Sequence, residues 1–127
     1  MQTMKMDLAD RFFSYWVRLR DKKCKRCGSP VGFNDRGLPR SHQCSHFVGR
    51  GKENTRFNPD NADTLCGGCH LYFTAHPMEH MDWQIAQKGQ EVVDKLKMLS
   101  NLYCKKDRIS EKIYWKKKLL QDFKIKV

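Results

Sequence analysis

Cys24-Lys-Arg-Cys27 and Cys66-Gly-Gly-Cys69 form two CxxC pairs with 38 residues between them, and nothing else in the chain narrows the fold as much. Four thiolates on two tight turns can wrap one ion tetrahedrally, so residues 24–27 and 66–69 must meet whatever lies between them. Zinc is the favoured ion, because soft thiolates select it and a closed coordination shell suits a structural role. A redox dithiol and two disulfides are the alternatives. A redox motif belongs beside a βαβ pattern, which this sequence does not show. The opening MQTMKMDLADRFF has acidic residues where an export signal needs an apolar run, so a cytoplasmic location without structural disulfides is expected. Cys44 and Cys104 stand outside the pairs and read as ordinary half-buried thiols.

A chain of 127 residues suits one domain with a modest core, the size at which a metal staple is most useful. Leu8, Phe12, Tyr15 and Leu19 predict a helix over 4–20 with those four in the core. A loop follows from Cys24 to Gly32, then a strand over 41–48, a mobile basic turn GRGKEN, and a turn at Asn58-Pro59-Asp60-Asn61. A helix starts within CGGCHLYF and stops before Pro77. The next carries Met78, Met81 and Ile85 on one face and ends at Gly89; another carries Val92, Leu96, Leu99 and Tyr103. A last helix, from about Ser110, carries Ile113, Leu120 and Phe123, with Trp115 and Leu119 beside them. The expected architecture is α+β in a single domain, 1–127: an N-terminal helix (1–22), a two-stranded zinc-bearing core (24–76) and a basic helical region (77–127). No window approaches eighteen consecutive apolar residues, so no membrane-spanning helix is expected.

Charge is unevenly spread. Residues 18–56 and 95–127 each carry eleven basic against three acidic groups, whereas 57–94 carry one against six. A net charge of +11 attracts polyanions, and fixed basic blocks bind nucleic acid by displacing its counterions.

Three residues surround the second cysteine pair: His46 in Ser45-His46-Phe47, Asn61 in NPDNADTLC, and His70 directly after Cys69. The metal turn fixes His70 relative to the strand that holds His46, a rigid frame for a hydrolytic site. The string CSHFVGRG…NPDNADTLCGGCH resembles the HNH, or ββα-metal, endonuclease motif with added cysteine pairs. With RFFSYWVRLRDKKCKRCG before it, the likeness extends to the phage lambda Rap/NinG recombination nucleases and covers roughly residues 8–75.

The resemblance implies a small ββα-metal core and metal-assisted hydrolysis of DNA phosphodiesters. His46 falls on the family's general base, which at its ordinary pKa is neutral enough to take a proton from water at physiological pH. His70 falls on the ligand of a catalytic Mg2+ or Mn2+, and Asn61 on the residue that braces the loop and keeps the base oriented. Arg50 and Lys52, on the adjacent turn, are candidates for holding DNA phosphate from charge and position alone. Ser45 stands where many members carry an Asp or His as a second metal ligand, which leaves His70 the one firm protein ligand. His42, in the same strand, is a further candidate. The implied partner is branched phage DNA such as a Holliday junction, in the host cytoplasm if phage-encoded, and two coordinated nicks point to a homodimer. A zinc-stabilised DNA-binding module that does not cut, and a nuclease component of phage DNA packaging, are the competing functions.

Overall fold

The computed structural model describes residues 6–127, in which six helices surround one antiparallel two-stranded sheet. The helices are α1 (Leu8–Asp21), α2 (Glu53–Arg56), α3 (Gly67–Ala75), α4 (Pro77–Lys88), α5 (Gln90–Ser100) and α6 (Arg108–Phe123). The strands are β1 (Gln43–His46) and β2 (Ala62–Leu65), in register with His46 opposite Ala62. A 3-10 turn at Pro59–Asn61 leads into β2, and α3 follows β2 directly. The mixed α and β architecture is the expected one, and none of the helices is long and apolar enough to cross a membrane.

Asp7 sets the start of α1. Its carboxylate accepts from the Asp10 N–H at 2.9 Å while Asp10 accepts from the Asp7 N–H at 3.1 Å, a reciprocal capping box. The helix therefore begins at Leu8, and the part of the expected helix before residue 6 lies outside the described residues. Its core stripe is also turned from the expected one. Phe12 and Leu19 are buried as expected, but Leu8 is exposed and Tyr15 only partly buried, while Ala9, Phe13 and Val17 join the core. The cause is α6, whose Trp115 meets Phe13 at 4.8 Å between ring centroids and Trp16 at 5.2 Å. Leu119 and Phe57 complete this cluster. A smaller one, around Cys24, Leu65, Cys69 and Phe73, lies under the cysteine pairs.

Several expected elements are corrected. The strand over 41–48 shrinks to Gln43–His46, because His42 takes a left-handed φ of 66° and bends the chain. The end of GRGKEN is helical, with Lys52 preceding α2. Helix α6 begins two residues early because the Asp107 carboxylate accepts from the Ile109 N–H at 2.9 Å. Ile113, Leu120 and Tyr103 are exposed, not core, and Cys104 is exposed, not half-buried.

The face that α4 buries is polar. Met78 is exposed, and His80 and Gln84 face inward instead. Every residue of β2 is buried, so the Asp63 carboxylate needs partners, and α4 supplies them: Gln84 Nε2 donates to it at 2.7 Å and Lys88 Nζ at 2.9 Å.

A second buried polar contact joins α1 to α2. Arg56 donates from Nε and Nη2 to the two Asp10 oxygens at 2.8 and 2.5 Å, and the paired side chains are 4% and 3% exposed. Burial pushes the Asp10 carboxyl up, but the Arg56 bond and the Asp7 N–H outweigh it and hold the group below its ordinary value. Arg56→Ala strands a buried carboxylate and is expected to destabilise the fold by about 3–5 kcal/mol, measured by denaturant unfolding. Since the folded-state pKa of Asp10 lies below the unfolded one, its stabilising share is present at neutral pH and is lost as pH falls below the ordinary carboxylate range.

Candidate metal centre and active-site cleft

The first cysteine pair forms a tight knuckle. The Cys27 N–H donates to Cys24 Sγ at 3.4 Å and the Gly28 N–H to the Cys24 carbonyl at 2.9 Å. Gly28, at a φ of 80°, supplies the left-handed residue that lets the chain turn away. The Lys25 N–H docks the knuckle onto β2 through the Thr64 carbonyl at 2.8 Å. The second pair opens α3: Cys66 is its cap and accepts from the Cys69 N–H at 3.4 Å. A helix N-terminus favours thiolates there.

All four sulfurs lie within 4.8 Å of one another, and Cys27 and Cys66 are 3.7 Å apart. All are free thiols. Two ligands at 2.3 Å from a tetrahedral ion stand ~3.8 Å apart, whereas a disulfide would bring them to about 2.05 Å. The donor set thus fits a metal ion such as zinc. Arg26 adds an outer contact, with Nη1 3.5 Å from Cys69 Sγ and its guanidinium 4.2 Å above the Tyr72 ring.

Beside this centre a cleft of ≈ 420 Å³ is lined by α1, β1, the turn after β1 and the first turn of α3. His46 is on its wall. Nε2 lies 2.9 Å from the Arg56 carbonyl, which can only accept, so Nε2 carries the proton and Nδ1 keeps its lone pair. The imidazole is expected from sequence to keep its ordinary pKa, but burial against Phe13 pushes it down to about 4. It is therefore neutral throughout the physiological range. Because Arg56 is clamped by Asp10, its carbonyl holds the ring through a chain of contacts that begins on α1.

His70 lines the same cleft from α3, half-buried, its pKa lowered by burial. Asn61 does not reach the cleft. Fully buried, it accepts from the Val48 N–H at 2.7 Å and donates to the Val48 and Thr55 carbonyls at 2.9 and 3.1 Å, closing the loop between the strands. Asn61→Ala leaves these backbone groups without side-chain partners, and a loss of about 2–3 kcal/mol in unfolding free energy is the expected reading.

The remaining candidates divide. Arg50 lines the cleft, whereas Lys52 belongs to a separate groove beside residues 100–104. Ser45 is buried and, by strand alternation, faces away from His46. His42 borders the cleft with its ring nitrogens occupied: Nε2 is 3.0 Å from the Ser29 carbonyl and Nδ1 3.1 Å from Ser41 Oγ. It braces the loop after the first cysteine pair.

Sequence reading missed one wall. Asp10, Ser14 and Arg18 line the cleft from α1, at four-residue intervals on the flank of its apolar face. That spacing is visible in the sequence; what lies opposite it is not. Cys44 adds a thiol that burial pushes up to about 12, so it is protonated and inert. Comparison of the chain with protein-family models, curated proteins and solved structures gave no match.

Proposed function

We propose that this chain is a metal-dependent DNA endonuclease of the HNH kind, with β1, β2 and α3 as its ββα-metal core and branched DNA as its substrate. The observation that carries this reading is the state of His46: a neutral imidazole in a basic cleft, its Nε2–H fixed on a backbone carbonyl and its Nδ1 free to accept a proton. That is what a general base for water attack requires. A pKa of about 4 is low for the task. A phosphodiester entering the cleft brings negative charge beside the ring and raises it. Arg50 holds phosphate, and Asn61 acts only by keeping the loop that carries Arg50 and the Arg56 carbonyl in place.

His70 is the residue that would hold Mg2+ or Mn2+; when bound, such an ion supplies charge stabilisation at the phosphate. As a donor set it is sparse but compatible, with DNA phosphate and water completing the shell. Asp10, the one carboxylate among the described cleft residues, is engaged by Arg56. This scarcity, with Ser45 turned inward, favours the second reading, a DNA-binding module that does not cut.

Incubation with supercoiled plasmid and with a four-way junction, under Mg2+, Mn2+ or EDTA, separates the two. Cleavage that needs the divalent ion and prefers the junction is expected. Binding without cleavage under every ion would establish the module.

A further inference from the structure

We infer that Arg18 of α1 is a DNA-phosphate ligand, gripping a phosphate next to the scissile one; this deepens the nuclease reading and rests on it only for the kinetics. Two other internal arginines, Arg20 and Arg56, are consumed by the fold. Arg20 donates to both Asp21 oxygens and to the Pro59 and Ala62 carbonyls, and Arg56 is held by Asp10 and Glu53. Arg18 differs. Its Nε donates to the Ser14 carbonyl at 3.3 Å and Nη1 to the Ser41 carbonyl at 3.2 Å. Nη2 donates to no described protein atom, and no carboxylate of the described residues pairs with the group.

The surroundings add no anion. Cys44 is protonated, His46 is neutral, and Asp10 is already neutralised. A half-buried guanidinium whose pKa burial lowers thus faces an open cleft without a counter-charge, with Tyr15 5.6 Å beneath it. Two bonds to carbonyls orient its plane and leave the outer N–H fork to an oxyanion, the geometry in which arginine selects phosphate.

Position along the strand decides which phosphate. Arg18 reaches toward Ser41 and Cys44, and Cys44 precedes His46 by two strand residues, ~7 Å at the usual rise. The base and this guanidinium therefore address different points of one DNA strand.

The test uses the full chain and a short duplex oligonucleotide. Arg18→Gln keeps an amide donor for the Ser41 carbonyl but removes the charge, and Arg18→Lys keeps the charge without the fork. Zinc content and melting temperature verify the fold of each. In EDTA, Arg18→Gln is expected to weaken DNA binding about 10-fold and to lower the salt slope by about one, with Arg18→Lys between it and wild type. With the divalent ion, KM rises while kcat stays within about twofold. A single neutral methylphosphonate at the flanking linkage should erase the difference between wild type and Arg18→Gln. Unchanged affinity and slope in Arg18→Gln overturn the assignment. A fall in kcat at constant KM overturns the flanking position and puts Arg18 on the scissile phosphate. If wild type binds but never cuts, the nuclease reading fails, while the salt slope and the methylphosphonate in the binding arm still decide on Arg18. Should both variants fail to fold, the methylphosphonate scan on wild type decides: equal affinity at every linkage overturns the proposal.

Discussion

His46→Ala is expected to slow DNA hydrolysis by roughly 10²–10⁴-fold while zinc content and DNA affinity stay near wild type. The side chain is not among the four-cysteine group, and its ring nitrogen is bonded to a backbone carbonyl, so its loss removes the proton acceptor without removing a metal ligand. His70→Ala should behave differently, with a defect that eases as Mg2+ or Mn2+ is raised, because it weakens ion binding and leaves the base in place. The pH profile supplies a second readout. In the free protein His46 titrates at about 4, so the acid limb of kcat/KM should fall there; with phosphate bound, the limb of kcat should sit higher. A His46→Ala protein that cuts at the wild-type rate would end the assignment. The same depressed pKa costs stability. Between the ordinary imidazole value of 6.5 and about 4, the unfolded chain binds a proton that the folded one does not, so stability falls as pH drops through that window, and His46→Gln should flatten the decline.

Removing the metal should unfold the protein. A structural four-thiolate zinc contributes about 10–16 kcal/mol of apparent binding free energy at neutral pH, against a total stability of about 5–15 kcal/mol for an ordinary domain. Here the ion would join the knuckle at Cys24, docked on β2, to the first turn of α3, and Cys24 and Cys69 are part of the smaller core cluster. Chelation, or Cys24→Ser, is therefore expected to release zinc and abolish the cooperative melting transition. Metal analysis that finds none in the native protein, or a Cys24→Ser variant that melts at the wild-type temperature, contradicts the staple. Because His70 follows Cys69 directly, hydrolysis should be lost with the zinc even when Mg2+ or Mn2+ is abundant.

The cysteine pairs were legible in the sequence because their spacing is itself the constraint: two turns of four residues must share one ion, and the sulfurs do converge. The longer helices and the strand that holds His46 were equally legible, since apolar period and turn residues are local properties, but the short α2 was read as a turn and β2 was not located. His70 on the helix after Cys69, and His46 near the end of β1, followed from the same local grammar. What those residues face was not. Asp10 meets Arg56 across 46 positions of sequence, and Arg18 meets Ser41 across 23. No periodicity within a segment encodes such partners. The stripe on α1 was misread for that reason, as spacing shows which residues share a face but not that Trp115 would cover one flank and a cleft the other. The face of α4 was misread because the hunger of a buried Asp63 for donors outweighed the apolar pattern. The protonation of His46 belongs to the same class. Its pKa is set by how much water the surrounding elements exclude, and its tautomer by a carbonyl ten residues away, so only the assembled tertiary structure decides either.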